Sequence, residues 1–175
     1  HFYLIEETKR NFQYSRLESF YEQVKSELNN ENYKNEMRKC LNMDKIAIAI
    51  REDNSDFIEG KNGRIKLSLI DRNEMIMSGC SFLQYSAFYG SIKCFKKLST
   101  KENFDEEKQF RENRQYDFIS NKYYVLPDYA ASGGEIEICK IVIENGFVFS
   151  SNSLLCAIRY HRENVFNWLI NEINI

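Results

Sequence analysis

The sequence predicts an all-α protein made of short helix-turn-helix repeats, and three observations support this prediction. The 175-residue chain contains one proline and seven glycines, fewer than the turn-rich all-β folds use. Apolar residues recur at helical spacing in several segments. A short tract with a turn at its centre also recurs along the chain. Because 43% of the residues are hydrophobic, we expect a folded domain with a buried core.

Residues 1–42 are predicted to form a helical segment of their own. One apolar stripe follows helical spacing and comprises Leu17, Phe20, Tyr21, Val24 and Leu28. Ser15 and Glu18 have the spacing of a capping box at the start of that helix. The charged residues lie between the apolar ones, which is typical of a solvated face. The predicted domain boundaries are therefore 1–42 for this segment and 43–175 for the rest.

The rest of the chain contains four copies of one tract. Residues 81–98 align with 129–142, the frame continues over 156–169, and residues 49–58 resemble that last copy. The turn positions of the copies are Asp53, Gly90, Gly134 and His161, and the small residues before them are Ala49, Ser86, Ala130 and Ala157. Each copy is predicted to be a short helix, a tight turn and a second helix, with the small residue allowing close packing. The turn spacings of 37, 44 and 27 residues are irregular, and the longest spacing contains a charged insert, 99–122.

This tract resembles the ankyrin repeat, whose pattern is T-P-L-H-x-A-A-x-x-G-H-x-E-I-V-x-x-L-L. The residues that match it in kind are Ser81, Leu83, Ala87, Gly90, Ile92 and Leu98, followed by the segments 134–138 and 144–146. Phe82 and Gln84 replace the usual proline and histidine. Segments 87–95, 131–138 and 157–162 are similar to segments that recur in this order in divergent ankyrin-repeat families of trichomonad-type protists. The resemblance implies an ankyrin-repeat solenoid of about four irregular repeats behind the helical N-terminal segment.

Charge and cysteine content exclude several classes of function. The net charge is −2, whereas general nucleic-acid binders and proteins of anionic membranes carry a basic excess. No segment reaches the roughly 18 apolar residues that a membrane span needs. The chain has five cysteines, an odd number, and no two of them have C-x-x-C spacing. This pattern is typical of buried thiols in a reducing compartment. We expect a cytoplasmic protein that binds neither nucleic acid nor membrane.

The sequence also predicts that the chain is not an enzyme and holds no cofactor or metal. His161 is the one internal histidine, interpreted as structural, although a Cys–His nucleophile pair stays open as an alternative. Gly133 and Gly134 are not followed by the Lys-Ser/Thr of a phosphate loop. Residues 105–107 are acidic but lack the alternating ligands of a calcium loop, so we interpret them as a solvated charge run.

The ankyrin resemblance implies protein–protein interaction through the concave face of the solenoid. In that pattern the two residues before the turn glycine face this surface. The candidate partner-binding residues are therefore Arg51, Glu52, Phe88, Tyr89, Ser132, Arg159 and Tyr160. Tyrosine and arginine are frequent interface anchors, which favours Tyr89, Arg159 and Tyr160, whereas Phe88 has the alternative of packing against a neighbouring helix.

Two other functional classes stay open. One is a structural subunit of a larger assembly, for example a cytoskeletal one, which would also use residues 1–42, the insert and the last helix. The other is a repeat module attached to an enzyme. The C-terminal segment 163–175 is rich in large apolar residues, so we expect self-association or another assembly contact there.

Overall fold

A computed structural model of the chain describes residues 41–66, 73–77, 79–112 and 124–173, so the predicted N-terminal segment lies almost wholly outside the described residues. From Asn42 onward the described residues belong to one compact unit. The all-α class is confirmed, since within the described ranges the single antiparallel bridge of Arg64 with Ser81 is the only β-type pairing. The helices are α1 Lys45–Arg51, α2 Glu74–Met77, α3 Phe82–Phe88, α4 Ile92–Leu98, α5 Lys101–Glu112, α6 Leu126–Gly133, α7 Ile136–Glu144, α8 Ser151–Arg159 and α9 Glu163–Glu172.

Most of the helices form a row of helix-turn-helix pairs in two layers. Helices α3 and α4 pack as one pair, α6 and α7 as the next, and α8 and α9 as the last. The first helices α1, α3, α6 and α8 pack side by side in one layer, and the second helices α4, α7 and α9 pack side by side in the other. Fully buried side chains come from both layers and include Ile50, Tyr85, Phe95, Tyr129 and Leu169.

Every first helix in the row ends in the same backbone turn. The four predicted turn positions are confirmed as left-handed, with φ values of 52° at Asp53, 66° at Gly90, 88° at Gly134 and 56° at His161. In three of these turns the next residue donates its backbone N–H to a small residue's carbonyl, in the pairs Asn54–Ala49 at 2.8 Å, Ser91–Ser86 at 2.9 Å and Arg162–Ala157 at 2.8 Å. This is the Schellman arrangement, which satisfies the last carbonyls of a helix. Positions counted from the turn residue are therefore equivalent in all copies.

The first copy differs from the expected helix pair. Its predicted second helix is wrong, because residues 52–60 form consecutive turns instead. The side chain of Asn54 accepts a hydrogen bond from the backbone N–H of Phe57 at 3.3 Å, and Gly60 has a φ of 67°. Side-chain hydrogen bonds of this kind compete with helical ones, and glycine at positive φ ends a helix.

The charged insert contains a helix that the sequence did not predict, α5. Its Glu107 is only 8% exposed and accepts hydrogen bonds from the Ser81 hydroxyl and, at 2.6 Å, from Gln84 Nε2. These two donors form the capping box at the start of α3. The interpretation of residues 105–107 as a solvated run is therefore wrong for Glu107. Burial raises the pKa of its carboxyl, although the two hydrogen bonds and Arg64 act in the opposite direction.

Candidate protein-binding surface

Arg51 lies at the end of α1 and connects three parts of the chain. Its Nη1 donates to the phenol oxygen of Tyr85 at 2.6 Å, and its Nη2 donates to the carbonyl of Asn42 at 2.6 Å. Its guanidinium carbon lies 5.8 Å from the ring centroid of Tyr89. Burial raises the pKa of Tyr85 far above its usual value, so the phenol stays neutral beside this cation.

Three aromatic residues continue from Arg51 across the layer of first helices. The rings of Tyr89 and Phe88 lie 5.2 Å apart at 76°, and the rings of Phe88 and Tyr160 lie 5.2 Å apart at 87°. These edge-to-face geometries are the favourable ones for aromatic pairs. We call Arg51, Tyr89, Phe88 and Tyr160 the aromatic row. It joins residues that are more than a hundred positions apart in the sequence.

The members of the aromatic row differ in accessibility. Tyr89, Tyr160 and Arg51 are half-buried, whereas Phe88 is only 9% exposed. Phe88 therefore packs against its neighbours, as the alternative interpretation of this residue held. A partner could reach the row through the two tyrosines and the arginine.

Ser132 is fully buried, so it has no surface to offer a partner. Its hydroxyl donates to the carbonyl of Asp128 at 2.8 Å and lies 3.3 Å from Met75 Sδ. The motif placed Ser132 two positions before the turn glycine, but Met75 and the close packing of α6 against its neighbours remove it from the surface.

The two remaining candidates are exposed. Arg159 donates from Nη1 to the phenol oxygen of Tyr124 at 2.8 Å. Burial raises the pKa of Tyr124 to about 12, so this phenol is neutral at physiological pH. Glu52 caps the C-terminus of α1 next to Arg51. The candidates with accessible side chains are therefore two arginines, one carboxylate and two tyrosines.

Residues 73–77 cover part of this surface, which sequence reasoning missed. The Tyr160 hydroxyl donates to Asn73 Oδ1 at 3.1 Å, and the Tyr129 hydroxyl donates to the carbonyl of Met75 at 2.7 Å. Met75 is fully buried and Ile76 is 3% exposed. The one available signal was a short apolar run between polar residues. Residues 73–77 therefore lie beside the aromatic row.

The four thiols that the structure describes are buried, and burial keeps at least two of them protonated. Cys80, Cys94, Cys139 and Cys156 are free and buried. Burial raises the pKa of Cys94 and of Cys139 to about 12 each, so both stay protonated at neutral pH and are poor nucleophiles. His161 is exposed at its turn. In the described part of the chain, no three His, Cys, Asp or Glu side chains converge on a point where they could hold a metal ion.

The last helix buries part of its apolar residues against the row. Val165, Trp168 and Leu169 are buried against the rest of the row, and Phe166 and Ile173 are half-buried. Ile170 is 38% exposed, and Ile175 lies outside the described residues. The row itself therefore covers part of this apolar set, since Phe166 and Ile173 also pack against its core, and among the described members Ile170 is exposed.

Comparisons with known proteins give no assignment. No protein-family model, curated protein or solved structure matches this sequence. Among the described helices, none combines the length and the apolar character that crossing a bilayer demands.

Proposed function

We propose that this chain is a non-catalytic protein–protein interaction module. It binds a partner protein through the aromatic row together with Arg159, and it needs no cofactor. We further propose that the row of helix pairs is an ankyrin-type solenoid of the divergent kind described above, with the aromatic row on its concave face. The compartment that we propose is the cytoplasm, supported by the free and buried thiols.

The observation that carries the proposal is the convergence of the pre-turn residues. Arg51, Tyr89 and Tyr160 come from three different first helices and meet in one continuous row. Rigid tyrosines with an arginine are the side chains that most often dominate binding energy at interfaces. Edge-to-face packing fixes the rings before binding, which lowers the entropy lost on association.

The ankyrin-type fold is supported by the equivalence of the turns. Four turns with the same backbone conformation occur at the motif positions, and the first and second helices form separate layers. Such an array presents a continuous surface made of the same position in successive repeats.

A structural subunit of a larger assembly is the second candidate. The observation that favours it is the set of exposed apolar residues on the last helix pair, including Leu155 at 60% and Ile158 at 51% exposure. An adaptor that uses only the aromatic row has no need for them.

The test uses affinity purification of the tagged full chain from source-cell lysate. A variant with Tyr89→Ala, Arg159→Ala and Tyr160→Ala is compared with the wild type and with a control in which Lys93, Lys140 and Glu144 become alanine. The control residues are exposed and lie on the second helices. Fluorescence of Trp168, the one tryptophan of the chain, checks that each variant is folded.

We expect at least one protein to be captured by the wild type and the control and lost with the triple variant. Binding of that protein to the purified chain should weaken by about tenfold or more, because hot-spot residues each contribute 2 kcal/mol or more. If the folded triple variant retains every partner with unchanged affinity, the proposed surface is wrong.

A further inference from the structure

The outer side of the last helix pair exposes positions that are buried in every earlier copy. The first such position lies three residues before the turn residue. It is fully buried in α1, α3 and α6, where it is Ile50, Ala87 and Ala131, but Ile158 of α8 is 51% exposed. The second position lies six residues before the turn residue. It is at most 2% exposed in the earlier first helices, where it is Ala47, Gln84 and Asp128, but Leu155 of α8 is 60% exposed. Within the part of the chain that the structure describes, the last pair therefore has no cover like that of the earlier first helices.

The segments after the turns show a similar contrast. Five residues after the turn, Ile58, Phe95 and Cys139 are buried, but Phe166 of α9 is half-buried. In the earlier copies the next first helix packs at this place, since α3 packs on α1, α6 on α3 and α8 on α6, and Gln84 also contacts Glu107 of α5. The repeat itself thus indicates what fits this face: another pair of helices packed side by side.

The exposed face has both projections and a recess. A cavity of about 290 Å³ lies on it, lined by Ala157, Ile158, His161, Arg162, Glu163 and Phe166. A cavity of about 150 Å³ already accommodates a benzene-sized group, so this one has room for an apolar side chain. The projecting side chains that could fill such a recess are Leu155 and Ile170. Arg162 and Glu163 place both charge signs at the same rim.

We propose that this face binds a second copy of the chain in a two-fold, tail-to-tail dimer. A two-fold contact uses one patch on both copies, so the patch must be complementary to itself. The face meets this requirement, because it combines apolar projections with an apolar recess and a basic residue with an acidic one. In the dimer, α8 and α9 of each copy pack against α8 and α9 of the other.

The size of the face indicates how tightly the dimer should associate. Helices α8 and α9 contain nine and ten residues, and at 1.5 Å per residue each is about 15 Å long. A patch made of two helices this short is small, and small contacts are typical of reversible association. We therefore expect dissociation constants in roughly the micromolar range.

Sedimentation velocity of the purified full chain at about 1 to 300 μM is the test. We expect the mass to rise from one chain to two across this range. Ile158→Glu and Leu155→Glu, made separately, should each raise the dissociation constant by about tenfold or more, because each buries a charge in the contact. The matched control is Phe57→Glu, which changes a 39% exposed apolar residue of the first copy and should leave dimerisation unchanged.

Three outcomes would overturn this proposal. One is a single-chain mass at every concentration. Another is a dimer whose stability neither variant changes while both remain folded by circular dichroism and Trp168 fluorescence. The third is a mass that grows beyond two chains with concentration, because this would indicate end-to-end stacking onto a different surface.

Discussion

Arg51 Nη1 and the phenol oxygen of Tyr85 lie 2.6 Å apart and join the first two helices of the row. Tyr85 is fully buried, and the other arm of Arg51 holds the carbonyl of Asn42, a residue that is 2% exposed. One guanidinium therefore satisfies two groups inside the fold while its outer side lies against Tyr89. Arg51 therefore contributes both to the stability of the fold and to the proposed binding surface.

Removing either partner of this bond should destabilise the fold, and the two losses should not add. We expect Arg51→Ala to cost about 1–3 kcal/mol, because it leaves buried acceptors without a donor, and Tyr85→Phe to cost about 1 kcal/mol. The double variant should cost less than the sum by about 1 kcal/mol. Urea unfolding followed by circular dichroism measures all three free energies of unfolding. Additive losses would contradict a direct interaction.

Glu107 should make stability depend on pH. Its pKa is raised in the folded state above the ordinary 4.5, so the native chain binds the proton more tightly than the unfolded chain does. The contribution to stability is therefore present below about pH 4.5 and is lost as the pH rises through the folded-state pKa. Glu107→Gln keeps the shape without this titration, so the variant's free energy of unfolding minus that of the wild type should increase from pH 5 to pH 7.5.

Two further measurements complete the test of Glu107. Glu107→Ala should cost about 1–3 kcal/mol, because it leaves the buried Gln84 amide without this acceptor. Paired urea titrations at both pH values, with circular dichroism as the signal, give the differences. The difference in free energy of unfolding between the glutamine variant and the wild type could instead stay constant or shrink as the pH rises. Either result would show that burial does not dominate the pKa of the Glu107 carboxyl.

Local signals in the sequence predicted the turns but not the elements that pack over them. Gly90 and Gly134 marked positive φ directly, and the repeat frame carried the prediction to Asp53 and His161. The docking of Met75 and Glu107 depends instead on partners that are 23 to 57 residues away along the chain. An acidic residue in a charged run has the composition of a solvated face, and only its contacts with the α3 capping box reveal that it is buried.

Some features of the candidate site could likewise be predicted from the sequence, and others could not. The pre-turn register was predictable, because it follows from the repeat, and it brings Tyr89 and Tyr160 to either side of Phe88. The accessibility of each position was not predictable, since Ser132 is covered by residues 73–77 from a non-repeating segment. An insertion between repeats has no internal template, so sequence periodicity does not report where it packs.

Gly133 should be required by the close approach of α6 to α3. A β-carbon built at this position would lie 1.9 Å from the carbonyl oxygen of Ala87. Inside a helix, alanine is normally more favourable than glycine by about 1 kcal/mol. A destabilising effect of alanine here would therefore show that its β-carbon collides with α3. We expect Gly133→Ala to cost about 1–3 kcal/mol through overpacking, as measured by thermal unfolding.

Gly60 is the matched control for that substitution. Its φ is 67°, but no atom lies within 4 Å of a β-carbon built there. Gly60→Ala therefore tests backbone strain alone and should cost about 1 kcal/mol. If Gly133→Ala proves neutral or stabilising, the two first helices do not approach as closely as this structure has them.

Asp53 and His161 share one backbone conformation, yet replacing each with glycine should have opposite effects. Both have positive φ, which costs an L-residue about 1–2 kcal/mol and glycine very little. His161→Gly should therefore stabilise the fold by up to about 1 kcal/mol, after allowing for the greater flexibility of glycine in the unfolded chain. Asp53 has a second role, because its carboxylate accepts from the backbone N–H groups of Cys94 at 2.9 Å and Lys93 at 3.2 Å.

This carboxylate replaces the cap that α4 lacks. Ser91 precedes α4 but makes no side-chain capping bond, and its buried hydroxyl has no hydrogen-bond partner among the residues that the structure describes. Asp53→Gly should therefore destabilise the fold by about 1 kcal/mol or more, because the loss of two capping bonds exceeds the relief of strain. Asp53→Asn keeps an acceptor oxygen and should recover part of the loss. Melting temperatures of the three variants decide the point, and a shift of the same sign for both glycine variants would show that strain alone governs these turns.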